Sequence, residues 1–108
     1  MTVDLRGKTR KTPIMQASYE GHESVVRLLL SHGAKQELQD RSGNTALHFA
    51  VSGNRPGVVA QLCAALGAAS ALALKTSAGI GSHTPLAHAV YLGRAACEAV
   101  LRAHGAPE

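Results

Sequence analysis

The sequence predicts an all-α solenoid: three short helix-turn-helix units stacked side by side, with hairpin or loop connections. Three observations predict it. One pattern begins at Thr12, again 33 residues later at Thr45, and again 39 residues later at Thr84. Apolar residues make up 45% of the 108-residue chain but aromatics only 3%, so Leu, Val and Ala must build the core. Leu and Ala favour helix, and the β-branched and aromatic runs that would mark a sheet are scarce.

Each unit reads as two helices in order. Thr12 and Thr84 are followed by Pro, so the hydroxyl caps free N–H groups and the ring occupies the first helical position. Two residues after each origin stand Ile14, Leu47 and Leu86, and five after stand Ala17, Ala50 and Ala89. Gly21 and Gly93 allow the turn between helices. The second helix carries Val25, Val58 or Cys97 at one register position and Leu29, Leu62 or Leu101 one turn later. Every unit closes on Gly-Ala (33–34, 67–68 and 105–106), where Gly suits a left-handed C-cap. Helix pairs this short cannot bury their apolar faces alone, whereas a stack of them can. The expected division of the single domain 1–108 is a basic segment over 1–11 and repeats at about 7–39, 40–74 and 79–108.

The segments "DRSGNTALH" from Asp40, "EGHESVVRLLLSHGA" from Glu20, and "TPLAHA" from Thr84 resemble the ankyrin repeat. The resemblance runs from about Gly7 to Ala106. It implies the stacked fold, and a surface of hairpin fingers and inner helices on which partners usually dock. The departures are specific. His48 keeps the family's histidine, but Met15 and Ala87 replace it in the other units. His22 matches the family's Gly-His, where Asn54-Arg55 and Gly93-Arg94 stand instead. "AASALALKTSAGIGSH" before Thr84 is longer than a standard finger, and "DLRGKT" from Asp4 sits three residues early for the first one.

The ends of the stack are expected to differ. Val26 and Val59 give way to Glu98, and Leu30 and Cys63 give way to Arg102, on one helical face four residues apart. Such a pair contributes about 0.3–0.5 kcal/mol and marks a solvent-facing C-terminal cap. The first unit shows no such switch. It is expected either to use residues 1–11 as a cover or to continue a longer array.

Several function classes find no support. There are no paired catalytic carboxylates, phosphate-cradling glycine loop or Gly-x-Ser-x-Gly, so no enzymatic activity is expected. Cofactors, metals and small-molecule ligands are not expected either. Cys63 and Cys97 share no metal-ligand spacing and read as thiols of a reducing compartment, the cytosol or nucleus. His32 and His104 suit helix C-termini, His48 and His22 are structural in the resembled family, and His88 is expected on a helix surface. No apolar run reaches the 18 residues of a membrane span, and the start has no apolar signal-peptide core.

What remains is recognition of a protein or peptide. The expected face comprises Lys8, Thr9, Lys11, Tyr19 and Glu20; Arg41, Ser42, Asn44, Ser52 and Gly53; and His83, Tyr91 and Leu92. The two tyrosines fall at the same place, seven residues after their origins, with Ser52 between them. Tyrosine supplies binding area at little entropic cost. A competing expectation rests on charge: of the net +4, the first eleven residues hold +3 through Arg6, Lys8, Arg10 and Lys11 against Asp4, a footprint for nucleic-acid phosphate or nuclear import. A third is self-association through an uncapped first repeat.

Overall fold

The computed structural model describes residues 10–65 and 83–105. They form six helices and, among themselves, no strand: α1 (Pro13–Glu20), α2 (Glu23–Ser31), α3 (Ala46–Ser52), α4 (Pro56–Cys63), α5 (Pro85–Leu92) and α6 (Ala95–Ala103). Consecutive pairs make the units. The first helices stack α1–α3–α5 and the second helices stack α2–α4–α6, which gives two layers with the core between them.

Each unit starts as its sequence dictates. Thr12, Thr45 and Thr84 are extended, and their hydroxyls accept from the N–H three residues on. The reciprocal half of the cap differs. The Thr45 N–H donates to His48 Nδ1 at 3.0 Å, and the Thr12 N–H donates to the Met15 thioether at 3.3 Å. Ala87 supplies no acceptor, so the third unit keeps only half the box. At the turn, the N–H of His22, Arg55 and Arg94 returns to the carbonyl of Ala17, Ala50 and Ala89 at 3.0, 2.8 and 2.9 Å. The apex needs positive φ, taken by Gly21 (77°), Asn54 (57°) and Gly93 (71°). Asparagine is among the few side chains that tolerate this region.

The core is continuous across units: Ile14, Leu47 and Leu86 with Ala17, Ala50 and Ala89, then Val58, Leu62, Cys97 and Leu101 from the second layer. Burial in the first unit follows position in the stack. Val26, under α4, is buried, while Val25, the register equivalent of Val58 and Cys97, is 43% exposed. That side of α2 faces away from α4, where none of the described helices lies.

Gly33 and Gly105 are left-handed, as a closing C-cap requires; Gly67 lies outside the described residues. The connection from α2 to α3 is a tight turn rather than paired strands. Asp40 Oδ1 accepts from the N–H of Ser42 and Asn44 at 2.9 and 2.8 Å, and the Asp40 N–H donates to the Asn44 carbonyl at 2.9 Å. Gln36 crosses to the next unit, donating from Nε2 to the Leu62 carbonyl at 2.8 Å. The long connection before the third unit and the early "DLRGKT" finger fall outside the described residues.

Candidate functional site

The inner surface is built from the C-terminal halves of α1, α3 and α5, and the joints between units set its geometry. Arg55 Nε donates to the Tyr19 carbonyl at 3.2 Å, and an Arg94 Nη donates to the Ser52 carbonyl at 3.3 Å. The same rung is thus built twice: the arginine after each turn ties down the backbone seven residues past the origin of the preceding unit. Gly53 approaches the Tyr19 carbonyl so closely that a β-carbon would collide with it. Along the outer layer, Gln61 Nε2 donates to the Glu23 carbonyl at 2.9 Å.

These joints fix a row of side chains at one register. Tyr19 is 47% exposed and Tyr91 74%, with half-buried Ser52 between them. Ser52 Oγ meets His88 Nε2 at 2.8 Å, and the His83 ring stacks on Tyr91 with centroids 5.3 Å apart. His88 is therefore not the surface residue its sequence position suggested. It is half-buried, edge-on to His48 at 5.6 Å, and wedged between α3 and α5. The Ser52 hydroxyl and the His48 ring of the preceding unit draw the imidazole into that contact. Burial first, then His83 and Arg94, hold its pKa below the ordinary histidine range. His48 is fully buried, and its pKa is pushed down to about 4, chiefly by that burial. Its Nδ1 accepts from Thr45 N–H, so Nε2 carries the proton and donates to the His83 carbonyl at 2.8 Å.

The other expected residues are dispersed. Lys11 lies 5.1 Å over the Phe49 ring, and Glu20 lies 3.7 Å from His22. Arg41 is exposed at the finger, and Leu92 is exposed beside Tyr91. The Asn44 side chain donates to Asp40 Oδ2 at 3.4 Å, while Ser42 donates its backbone N–H to the same carboxylate. Lys8, Thr9 and Arg6 lie outside the described residues; Arg10 is exposed, at φ 60°.

Among the described residues no three His, Cys, Asp or Glu side chains converge as metal ligands. Burial raises the thiol pKa of Cys63 to about 11, and burial also shifts that of Cys97 upward, which disfavours the thiolate at both. No described helix is long and apolar enough to cross a membrane.

The ends present different surfaces. Arg102 Nε donates to Glu98 Oε2 at 3.0 Å on the outer layer of the last unit, as the sequence predicts. On the inner layer Val90 is 51% exposed, although Val51 at the same register is buried. At the first unit Leu28 is 57% exposed next to Val25. Sequence reasoning missed the arginine rungs, the His88 wedge and the exposed Val90 of the last unit; the first unit's lack of a charged switch was legible in it. Arginine recurring after the turn in two units was the available signal for the rungs.

A family model described as ankyrin repeats (3 copies) matches residues 2–72. The match stops short of the third unit, whose cap, turn and arginine rung nevertheless repeat those before it. A stretch of 42 residues is 45% identical to the Apicidin F cluster transcription factor apf2 of Gibberella fujikuroi, covering 39% of this chain and 11% of that protein. Another, of 60 residues, is 37% identical to the probable palmitoyltransferase AKR2 of Saccharomyces uvarum, covering 56% and 8%. A third, of 39 residues, is 49% identical to transient receptor potential cation channel subfamily V member 5 of Mus musculus, covering 36% and 5%. The chain thus spans about a tenth or less of the length of these relatives, which are named for three unrelated activities. Repeats of this kind generally serve protein–protein interaction. With the repeat visible in pattern, caps and turns, and the family model matched over most of its length, the chain belongs to the ankyrin repeat family.

Proposed function

We propose that this chain is a non-enzymatic module that binds a partner protein on its inner face, in the cytosol or nucleus. One observation carries the reading: Tyr19 and Tyr91 share a register two units apart and both are exposed. Units stacked at helix-packing distance put the two rings about 20 Å apart, a span suited to an extended segment or a domain edge. The arginine rungs hold the backbone beneath Tyr19 and Ser52, so the face is preorganised and little ordering entropy is lost on binding.

Affinity capture from nuclease-treated extract, at low and high salt, tests this. The expected result is one protein retained at high salt and lost with Tyr19→Ala/Tyr91→Ala, at unchanged helicity. Capture that survives the double variant but vanishes with nuclease or salt would transfer the function to nucleic acid and the basic segment of Arg6, Lys8, Arg10 and Lys11.

The apolar patch of Val25 and Leu28 favours one second reading, self-association through the first unit. The Glu98–Arg102 pair opposes head-to-tail growth, so this association joins two first units to each other as a closed dimer. Sedimentation equilibrium should then show a dimer that Leu28→Glu dissociates; a monomer at all concentrations would refute it.

A further inference from the structure

The two joints of the stack are tied by different chemistry. From the first unit to the second, a guanidinium and two amides cross: Arg55 to the Tyr19 carbonyl, Gln61 to the Glu23 carbonyl and Gln36 to the Leu62 carbonyl. Mild acid leaves donors of these types unchanged. From the second unit to the third, two crossing bonds run through imidazoles. His48 Nε2 donates to the His83 carbonyl at 2.8 Å, and His88 Nε2 meets Ser52 Oγ at 2.8 Å. Arg94 adds its rung to the Ser52 carbonyl.

The imidazoles are crowded by like charge. His48 and His88 lie edge-on with centroids 5.6 Å apart, and His83 lies 6.4 Å from His88. Protonating one disfavours protonating the next, and Arg94 adds a further positive charge acting on His88. Carboxylates to offset this are scarce, since the sequence has no Asp or Glu from Arg41 to Cys97. Asp40 favours the charged form of His48, but its carboxylate already accepts from the N–H of Ser42 and Asn44. Of the helices packed around the pair, α4 brings Cys63 alone as an ionisable group. From α1 come Tyr19 and Glu20, the latter against His22, and from α6 come Cys97 and Glu98, the latter against Arg102.

Opening this joint relieves the crowding. His48 is fully buried, and the carbonyl that holds its Nε2 belongs to the entry of the third unit. With that unit detached, both rings regain water and accept a proton that the closed joint disfavours. Burial holds both pKa values below the ordinary 6.5, that of His48 at about 4, so the open form binds protons first as pH falls. The closed joint therefore keeps its full advantage above about pH 6.5 and loses it progressively towards about pH 4.

We propose that the joint between the second and third units is an acid-sensitive latch: protonation of His48 and His88 detaches α5 and α6 while α1 to α4 stay folded. Detachment takes Tyr91 out of the row it shares with Tyr19. That consequence for binding rests on the protein-binding reading; the opening itself does not.

Native-state amide hydrogen exchange of the full chain at about pH 7 and about pH 5, expressed as opening equilibria, tests the latch without a partner. The α5 and α6 amides should share one opening, more frequent at both pH values than that of the α1 and α2 amides. Its equilibrium constant should rise on the order of tenfold towards the lower pH from His48 alone, and further with His88. His88→Gln keeps a donor for Ser52 without the titration, so the rise should shrink. Combining it with His48→Met should abolish the rise. Opening of α5 and α6 only together with α1 and α2, an equilibrium constant unchanged by pH, or an undiminished rise in the double variant would overturn the proposal. Capture through Tyr19 and Tyr91 at neutral pH is a separate measurement, so the two readings fail separately.

Discussion

His48 shows how much a single side chain can contribute when both ring nitrogens are committed. Nδ1 accepts from Thr45 and Nε2 donates to the His83 carbonyl, so a second proton would land where a hydrogen bond is already accepted, in a buried site. The folded pKa of about 4 lies below the ordinary 6.5, so the unfolded chain binds the proton first as pH falls. The contribution is complete above about pH 6.5 and is lost progressively towards about pH 4, on the order of 3 kcal/mol in all. Urea midpoints at neutral and acid pH should diverge accordingly. His48→Met, which borrows the thioether cap of Met15, should flatten that part of the profile; an equal acid loss in the variant would show that other groups carry it. Two glycines make a second pair. Gly93→Ala meets open space but holds φ at 71°, a cost of roughly 1 kcal/mol. Gly53→Ala drives a methyl into the Tyr19 carbonyl and should cost more, about 1–3 kcal/mol, as measured by denaturant unfolding.

At the scale of the element, legibility followed the kind of signal. Helix starts were written locally by Thr and Thr-Pro, and inner turns by Gly21 and Gly93, so all three units could be placed from periodicity alone. The rungs could not. Arg55 and Arg94 reach carbonyls 36 and 42 residues away, and no helical period encodes that reach. They read merely as departures from Gly-His, as His88 read merely as a surface position. The same contacts predict unequal costs. Arg94 is half-buried, whereas Arg55 is exposed, so the Arg94 bond is the less screened by water and Arg94→Ala should lower stability more than Arg55→Ala. The expected scale for a hydrogen bond of this type is about 0.5–1.5 kcal/mol each, with the exposed one at the low end. Equal losses would mean that the arginine stems, through packing, outweigh the rungs. The tyrosine row was legible because its register is local; its exposure was not, because exposure depends on what the neighbouring unit covers.

For the whole molecule the question is what stops a stack whose units are alike. The sequence shows the outer half of the answer: Glu98 and Arg102 replace an apolar pair, and the structure joins them at 3.0 Å. It also shows that the first unit has no such switch; what it does not show is how far Val25 and Leu28 stand exposed there, which depends on what lies against α2. The described stack thus presents an apolar patch at its first unit and an ion pair at its last. Restoring the internal pattern with Glu98→Val and Arg102→Leu makes the C-terminal face resemble the one that Val26 and Leu30 present to α4. That face would then match the exposed Val25 and Leu28 of a second copy. A heterologous contact of this kind does not close on itself, so the double variant should grow into open, concentration-dependent oligomers larger than a dimer. Light scattering over a dilution series should show this growth, and adding Leu28→Glu should reverse it. A double variant that scatters like the parent chain would mean that the inner layer around Val90 and Tyr91, and not the ion pair, ends the stack.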